Sequence, residues 1–169
     1  MGKKEDDGSL KVIEEYTEKI VKNPNNIDYY IDRGDIYFSI REFEKALKDY
    51  SRVIELSSYS NSTKGRYYRD RGYTYYCLKE YKKAIEDYSK AIEHYSIETD
   101  LFPLRIDYYI DRGDAYYCLK EYEKAIKDYS CALEFKSICE EVEDLEKIIS
   151  GHLDSDFKKH RKQEQLDNF

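Results

Sequence analysis

The sequence predicts an all-α protein, a row of antiparallel helix pairs stacked side by side. Three observations carry this expectation. The stretch "YYCLKEYKKAIEDYS" at 75–89 returns nearly unchanged as "YYCLKEYEKAIKDYS" at 116–130. Near-duplication at that distance is the mark of stacked repeats. Within each copy, apolar residues recur at spacings of three and four (Tyr81, Ala84, Ile85, Tyr88, Ala91, Ile92), which is one face of a helix. Charged residues make up 38% and hydrophobic ones 40%, a balance that suits an elongated helical body with much surface for its volume.

Aligned on Gly34, Gly72 and Gly113, three blocks fall into register at 29–58, 67–96 and 108–137. The second and third agree at 21 of 30 positions, and the first and third at 18 of 30, so all three are copies of one unit. Each block reads as two helices joined by a short polar turn, at Arg41-Glu42, Lys79-Glu80 and Lys120-Glu121. The glycines fall inside the first helix, where each costs about 1 kcal/mol of helix propensity relative to alanine. A packing need explains why every copy accepts that cost: the missing side chain admits the neighbouring helix. Ala46, Ala84 and Ala125 do the same on the second helix, and Tyr50, Tyr88 and Tyr129 fill the wider gap four residues on.

This spacing resembles the tetratricopeptide repeat: aromatic, then glycine, then tyrosine on the first helix, and alanine followed four residues later by an aromatic on the second. Here it reads Tyr30, Arg33, Gly34, Tyr37, Ala46, Tyr50, and then Tyr68, Arg71, Gly72, Tyr75, Ala84, Tyr88. The third copy is Tyr109, Arg112, Gly113, Tyr116, Ala125, Tyr129. The resemblance implies a solenoid of helix pairs with repeats at 27–60, 65–98 and 106–137. A half repeat precedes them at 9–26, with Tyr16 at the second-helix aromatic position, Pro24 at the closing position and Ser9 as a helix cap. Ile138, Val142, Leu145, Ile148 and Ile149 form one stripe, read as a capping helix at 138–151. Residues 1–8 read as a disordered tail and 152–169 as a polar one. The repeats depart from the family at their ends: Ser58, Ser96 and Ser137 replace the usual proline, and "SSYSNSTKG" and "YSIETDLFPL" absorb extra residues between copies.

Family geometry sets each arginine before a glycine against an aspartate sixteen residues later: Arg33 with Asp49, Arg71 with Asp87, Arg112 with Asp128. The bland role for these pairs is register-fixing ion pairs. In the family, the first helices line a concave groove. Matching positions are Asp28, Asp32, Asp35 and Phe38 in the first repeat, Arg69, Asp70, Tyr73 and Tyr76 in the second, and Asp107, Asp111, Asp114 and Tyr117 in the third. Members that grip a C-terminal carboxylate place lysine, asparagine and arginine there, so this acidic, aromatic groove points away from that ligand. It suits a peptide or partner helix of basic character, through ion pairs and cation–π contacts.

Other classes are disfavoured. A net charge of −7 argues against nucleic acid. No apolar run reaches the roughly 18 residues of a membrane span. The opening MGKKEDDGSL lacks a signal-peptide core and fails the myristoylation motif, so a cytoplasmic location is expected. Cys77, Cys118, Cys131 and Cys139 include no CxxC pair and no histidine at zinc spacing, so neither metal nor cofactor is expected. His94, His152 and His160 are scattered outside the repeat pattern, and no phosphate-cradling loop occurs, so no catalytic set is expected. The sequence therefore points to a non-catalytic protein-binding scaffold. Two alternatives are a small chaperone, similar in length and repeat number to translocator chaperones of type III secretion, and a homo-oligomer in which the N-terminal half repeat completes a neighbour's array.

Overall fold

A computed structural model describes residues 7–57, 61–96 and 102–138. Among them are seven α-helices and no strand: α1 (Asp7–Lys22), α2 (Ile27–Ser39), α3 (Phe43–Leu56), α4 (Asn61–Cys77), α5 (Tyr81–Ser96), α6 (Phe102–Cys118) and α7 (Tyr122–Ile138). Each helix packs on the next along the chain, giving three hairpins, α2/α3, α4/α5 and α6/α7, with α1 against α2. Helix α1 starts at Asp7, so Ser9 lies within its first turn rather than capping it. The expected capping helix at 138–151 and tail at 152–169 lie outside the described residues, except that Ile138 closes α7.

The hairpin turns share one design. Arg41, Lys79 and Lys120 take the left-handed conformation, with φ of 66°, 62° and 63°. In the first, Glu42 N–H reaches back to the Tyr37 carbonyl (2.8 Å) and Arg41 N–H to that of Phe38 (2.9 Å), and the other two repeat this pair of bonds. Such a cap satisfies carbonyls that the ending helix leaves unpaired. Glycine usually takes this place, and a side chain there costs roughly 1–2 kcal/mol. At the other end of the first repeat, Asn26 Oδ1 accepts from Asp28 N–H at 3.0 Å and caps α2.

The insertions go partly into helix. Gly34 is the eighth residue of α2, whereas Gly72 and Gly113 are each the twelfth of α4 and α6. The later first helices therefore start about one turn earlier than the repeat frame expects. Extending an existing helix adds a hydrogen bond for each residue fixed, which a loop does not. Pro103, second in α6, is tolerated there because the first turn needs no N–H donor.

The core runs through the repeat boundaries. Tyr30, Val53, Ile54 and Tyr67 form one cluster across the first and second repeats. Ala84, Tyr88 and Ala115 form another across the second and third, with Ala91 and Tyr108 beside it. No hairpin hides its apolar stripe alone, and stacking does so. Ala46, Ala84 and Ala125 are sealed, at 0%, 0% and 2% exposed. A Cβ on Gly34, Gly72 or Gly113 would stand 3.0, 2.9 or 2.6 Å from a ring carbon of Tyr50, Tyr88 or Tyr129. Each glycine is thus the notch that a tyrosine of the partner helix fills.

Candidate peptide-binding wall

An arginine on each first helix holds three helices together. Arg33 donates from Nε and Nη2 to Asp49 Oδ2 and Oδ1, at 2.8 and 2.7 Å. Arg71 does the same to Asp87 (2.7 and 2.8 Å), and Arg112 to Asp128 (2.7 Å each). The three aspartates are buried, so these are desolvated, two-point pairs. The remaining arm of each arginine reaches back to a hydroxyl on the preceding second helix. Arg33 Nη1 donates to Thr17 Oγ1 (2.9 Å), Arg71 Nη1 to Ser51 Oγ (3.0 Å) and Arg112 Nη1 to Ser89 Oγ (3.0 Å). Thr17 therefore occupies the same place on α1 as Ser51 on α3 and Ser89 on α5. The tie was readable in advance, because each follows the second-helix tyrosine directly (Tyr16-Thr17, Tyr50-Ser51, Tyr88-Ser89).

The first helices α2, α4 and α6 touch one another through side chains at the positions assigned to the groove. Phe38 on α2 packs on Tyr73 of α4, with ring centroids 5.6 Å apart. Tyr73 stacks on Tyr76 at 6.3 Å and 5°, and Tyr76 meets Tyr81 edge-on at 5.4 Å. Phe43 extends the row beyond Phe38, at 5.4 Å. The Tyr76 hydroxyl lies 3.5 Å from Cys118 Sγ on α6, and Tyr117 meets Tyr122 at 5.5 Å. Tyr73 is the large ring left open on this row, 47% exposed.

The aspartates of the wall divide into three groups. Asp35 accepts the Tyr50 hydroxyl and Asp114 that of Tyr129, each at 2.7 Å. Burial first, and then these bonds, push both tyrosines well above their ordinary range. Asp111 accepts Arg69 Nε at 2.7 Å, while Arg69 Nη2 lies 3.6 Å from Asp107. The Arg69 guanidinium also sits over Tyr108, 5.5 Å from the ring centre. Burial holds the Asp111 carboxyl above the usual carboxylate range, with Arg69 pulling the other way. Of the aspartates assigned to the groove, Asp35 and Asp114 thus serve Tyr50 and Tyr129, and Asp107 and Asp111 are met by Arg69, itself a groove position. Sequence reasoning missed this bridge because it joins residues of two repeats across an insertion.

Asp28, Asp32 and Asp70 remain. The first two are exposed on α2, and Asp32 faces the Tyr16 hydroxyl and holds it above its ordinary range. Asp70 lies between them and the third repeat. Its nearest cation is Arg66, 3.8 Å away on its own helix, and its side chain is 34% exposed. Burial, and the negative charge of Asp35 and Asp111, push its carboxyl up to about 6, with Arg66 and Arg69 opposing. Among the described residues there is no group of side chains able to hold a metal ion. None of the described helices is long and apolar enough to cross a membrane.

Comparison with known proteins agrees with this architecture. No curated protein sequence matches the chain. Among solved structures, a crystal structure of MamA shares 26% identity at a TM-score of 0.65, covering 76% of this chain and 64% of its own. BtubC from P. vanneervenii gives 16% identity and a TM-score of 0.70, covering 79% of this chain and 59% of its own. The N-terminal domain of stress-induced protein-1 (STI-1) from C. elegans gives 19% and 0.62, covering 75% of this chain and 95% of that domain. The chain thus spans less than two thirds of the MamA and BtubC chains, and the two lower identities speak to fold alone. Tetratricopeptide-repeat models match residues 27–59 and 63–137, which together are more than half of the chain. With three hairpins in register and two matching family models, the chain belongs to the tetratricopeptide repeat family and is a protein–protein interaction module of that class.

Proposed function

We propose that this module binds an extended peptide or a partner helix of basic character along the wall of α2, α4 and α6. The observation that carries this reading is the row Phe38–Tyr73–Tyr76, with the exposed Tyr73 three residues along α4 from the poorly compensated Asp70 carboxylate. An open ring and a carboxylate short of a cation suit the same ligand group, an arginine or lysine side chain. Pairing with it would relieve the charge that burial penalises at Asp70. The wall, on this reading, recognises side chains rather than a chain terminus. It needs no cofactor and performs no chemistry.

The test is peptide selection on the immobilised full chain, followed by titration of the selected sequences. Arginine or lysine should be enriched, with affinity falling as salt rises. Tyr73→Ala should weaken binding about tenfold, and Asp70→Asn by a similar factor. Selected peptides without basic residues, or binding indifferent to both substitutions, would refute it.

A further inference from the structure

The nine residues Ile27–Asp35 recur letter for letter as Ile106–Asp114, yet their surroundings differ. In the second copy, Asp107, Tyr108 and Asp111 form a notch that holds the Arg69 guanidinium: 2.7 Å to Asp111, 3.6 Å to Asp107, 5.5 Å from the Tyr108 ring centre. That arginine comes from α4, the first helix of the preceding repeat. In the first copy, Asp28, Tyr29 and Asp32 stand at the same positions, and no cation pairs with either carboxylate among the described residues; Tyr16 packs on Tyr29 (ring centroids 6.4 Å apart) with its hydroxyl facing Asp32, and Lys19 Nζ lies 6.0 Å from the Tyr29 ring centre. Helix α1 precedes it as a second helix without a described companion.

The face of α1 that would meet such a companion is open. Aligning Tyr16 with Tyr88 sets Val12 at the place of Ala84, Glu15 at that of Asp87 and Lys19 at that of Ala91. Ala84, Asp87 and Ala91 are buried against α4, whereas Val12 is 37% exposed and the Glu15 side chain 60%. Glu15 stands where Asp87 receives Arg71, and it pairs with Lys19 of its own helix at 2.6 Å. Two acidic positions therefore lack the arginine that their counterparts receive, Arg69 in one case and Arg71 in the other.

We propose that the open face of α1 and the Asp28–Tyr29–Asp32 notch together receive a helix of a partner protein that carries two arginines two residues apart. The occupant is an imitation of α4 and completes the half repeat. Charge complementarity and the filled notch in the same chain argue for it. A second copy is a poor occupant, because Arg69 and Arg71 form the sequence's one Arg-x-Arg and are already engaged within the chain. The site shares α2 with the proposed wall but uses neither Tyr73 nor Asp70.

The probe is a peptide of the α4 sequence, Asn61–Cys77 with serine in place of Cys77, held helical by a side-chain lactam away from both arginines. Titrated into the full chain, it should bind, and Arg69→Ala in the peptide should weaken binding about tenfold or more. Asp28→Asn/Asp32→Asn in the chain should do the same. No binding at about 1 mM peptide, or equal binding by the Arg69→Ala peptide, overturns the proposal. So does dependence on Asp107 and Asp111 rather than Asp28 and Asp32, which would mean that the peptide displaces the chain's own α4. A free chain whose self-association is lost on Asp28→Asn/Asp32→Asn would make a second copy the occupant, and overturns it equally.

Discussion

The middle repeat and its two flanking repeats share one frame and differ in what they leave open. All three carry the same arginine tie and the same glycine notch. In the flanking repeats the residue after the glycine is an aspartate, Asp35 or Asp114, bonded to the second-helix tyrosine. In the middle repeat that residue is Tyr73, and Tyr88 has no such carboxylate to meet. The flanking carboxylates are spent on holding their own hairpins. The middle hairpin does without that bond and presents an open ring, with Asp70 three residues before it on α4. Stability and recognition are thus divided among positions that an alignment treats as equal.

The largest expected effect concerns the shared frame. Arg71→Ala leaves the buried Asp87 without its partner and should cost about 3–5 kcal/mol in urea unfolding. Arg33→Ala and Arg112→Ala should cost nearly the same, and a spread beyond about 1 kcal/mol would break the idea of a common frame. Arg71→Ala and Asp87→Ala combined should fall well short of the sum of the single losses.

Next comes the notch. Gly113→Ala should destabilise by about 2 kcal/mol, because the added methyl meets a ring that Asp114 holds in place. Gly72→Ala should cost less, since its added methyl would stand 2.9 Å from the Tyr88 ring against 2.6 Å at Tyr129, and Tyr88 is not tethered in that way; the gain of about 1 kcal/mol in helix propensity is common to both. Equal losses at both positions would show that the tether does not matter.

Smaller still is the tether itself. Tyr50→Phe and Tyr129→Phe should each lose about 1–2 kcal/mol, and Tyr88→Phe almost none, as read by thermal melts.

The smallest effect is pH-dependent and confined to the middle repeat. The Asp70 carboxyl titrates near 6 when folded and at the ordinary 3.8 when unfolded, so its ionised form disfavours the fold. That penalty is absent below about pH 4 and grows as pH rises through 6. Asp70→Asn should therefore melt higher than the parent at pH 8 and at the same temperature at pH 4. Water reaches a third of the side chain, which limits the gain to about 1 kcal/mol or less. A higher melting point at pH 4 as well would assign the effect to packing rather than charge.

Much of the fold was legible because each repeat writes its local needs three times over. The glycines, the alanines and their tyrosines recur at fixed spacing, and helical periodicity does the rest. The Asp35–Tyr50 and Asp114–Tyr129 bonds have a constant offset of fifteen residues and were readable too, had the residue after each glycine been compared. The Arg69–Asp111 bridge was not readable. It spans 42 residues and the insertion between the second and third repeats. The groove's composition was therefore plain in the letters, while its internal pairing joins residues of different repeats that no single copy of the unit shows.

The arginine that grips both its own hairpin and the hydroxyl of the one before it has a mechanical consequence. Each junction between hairpins is pinned at its centre by a group that resists flexure in either direction. Such an array should behave less like a hinged strap than like a leaf spring with a set curvature. A ligand would then have to conform to it.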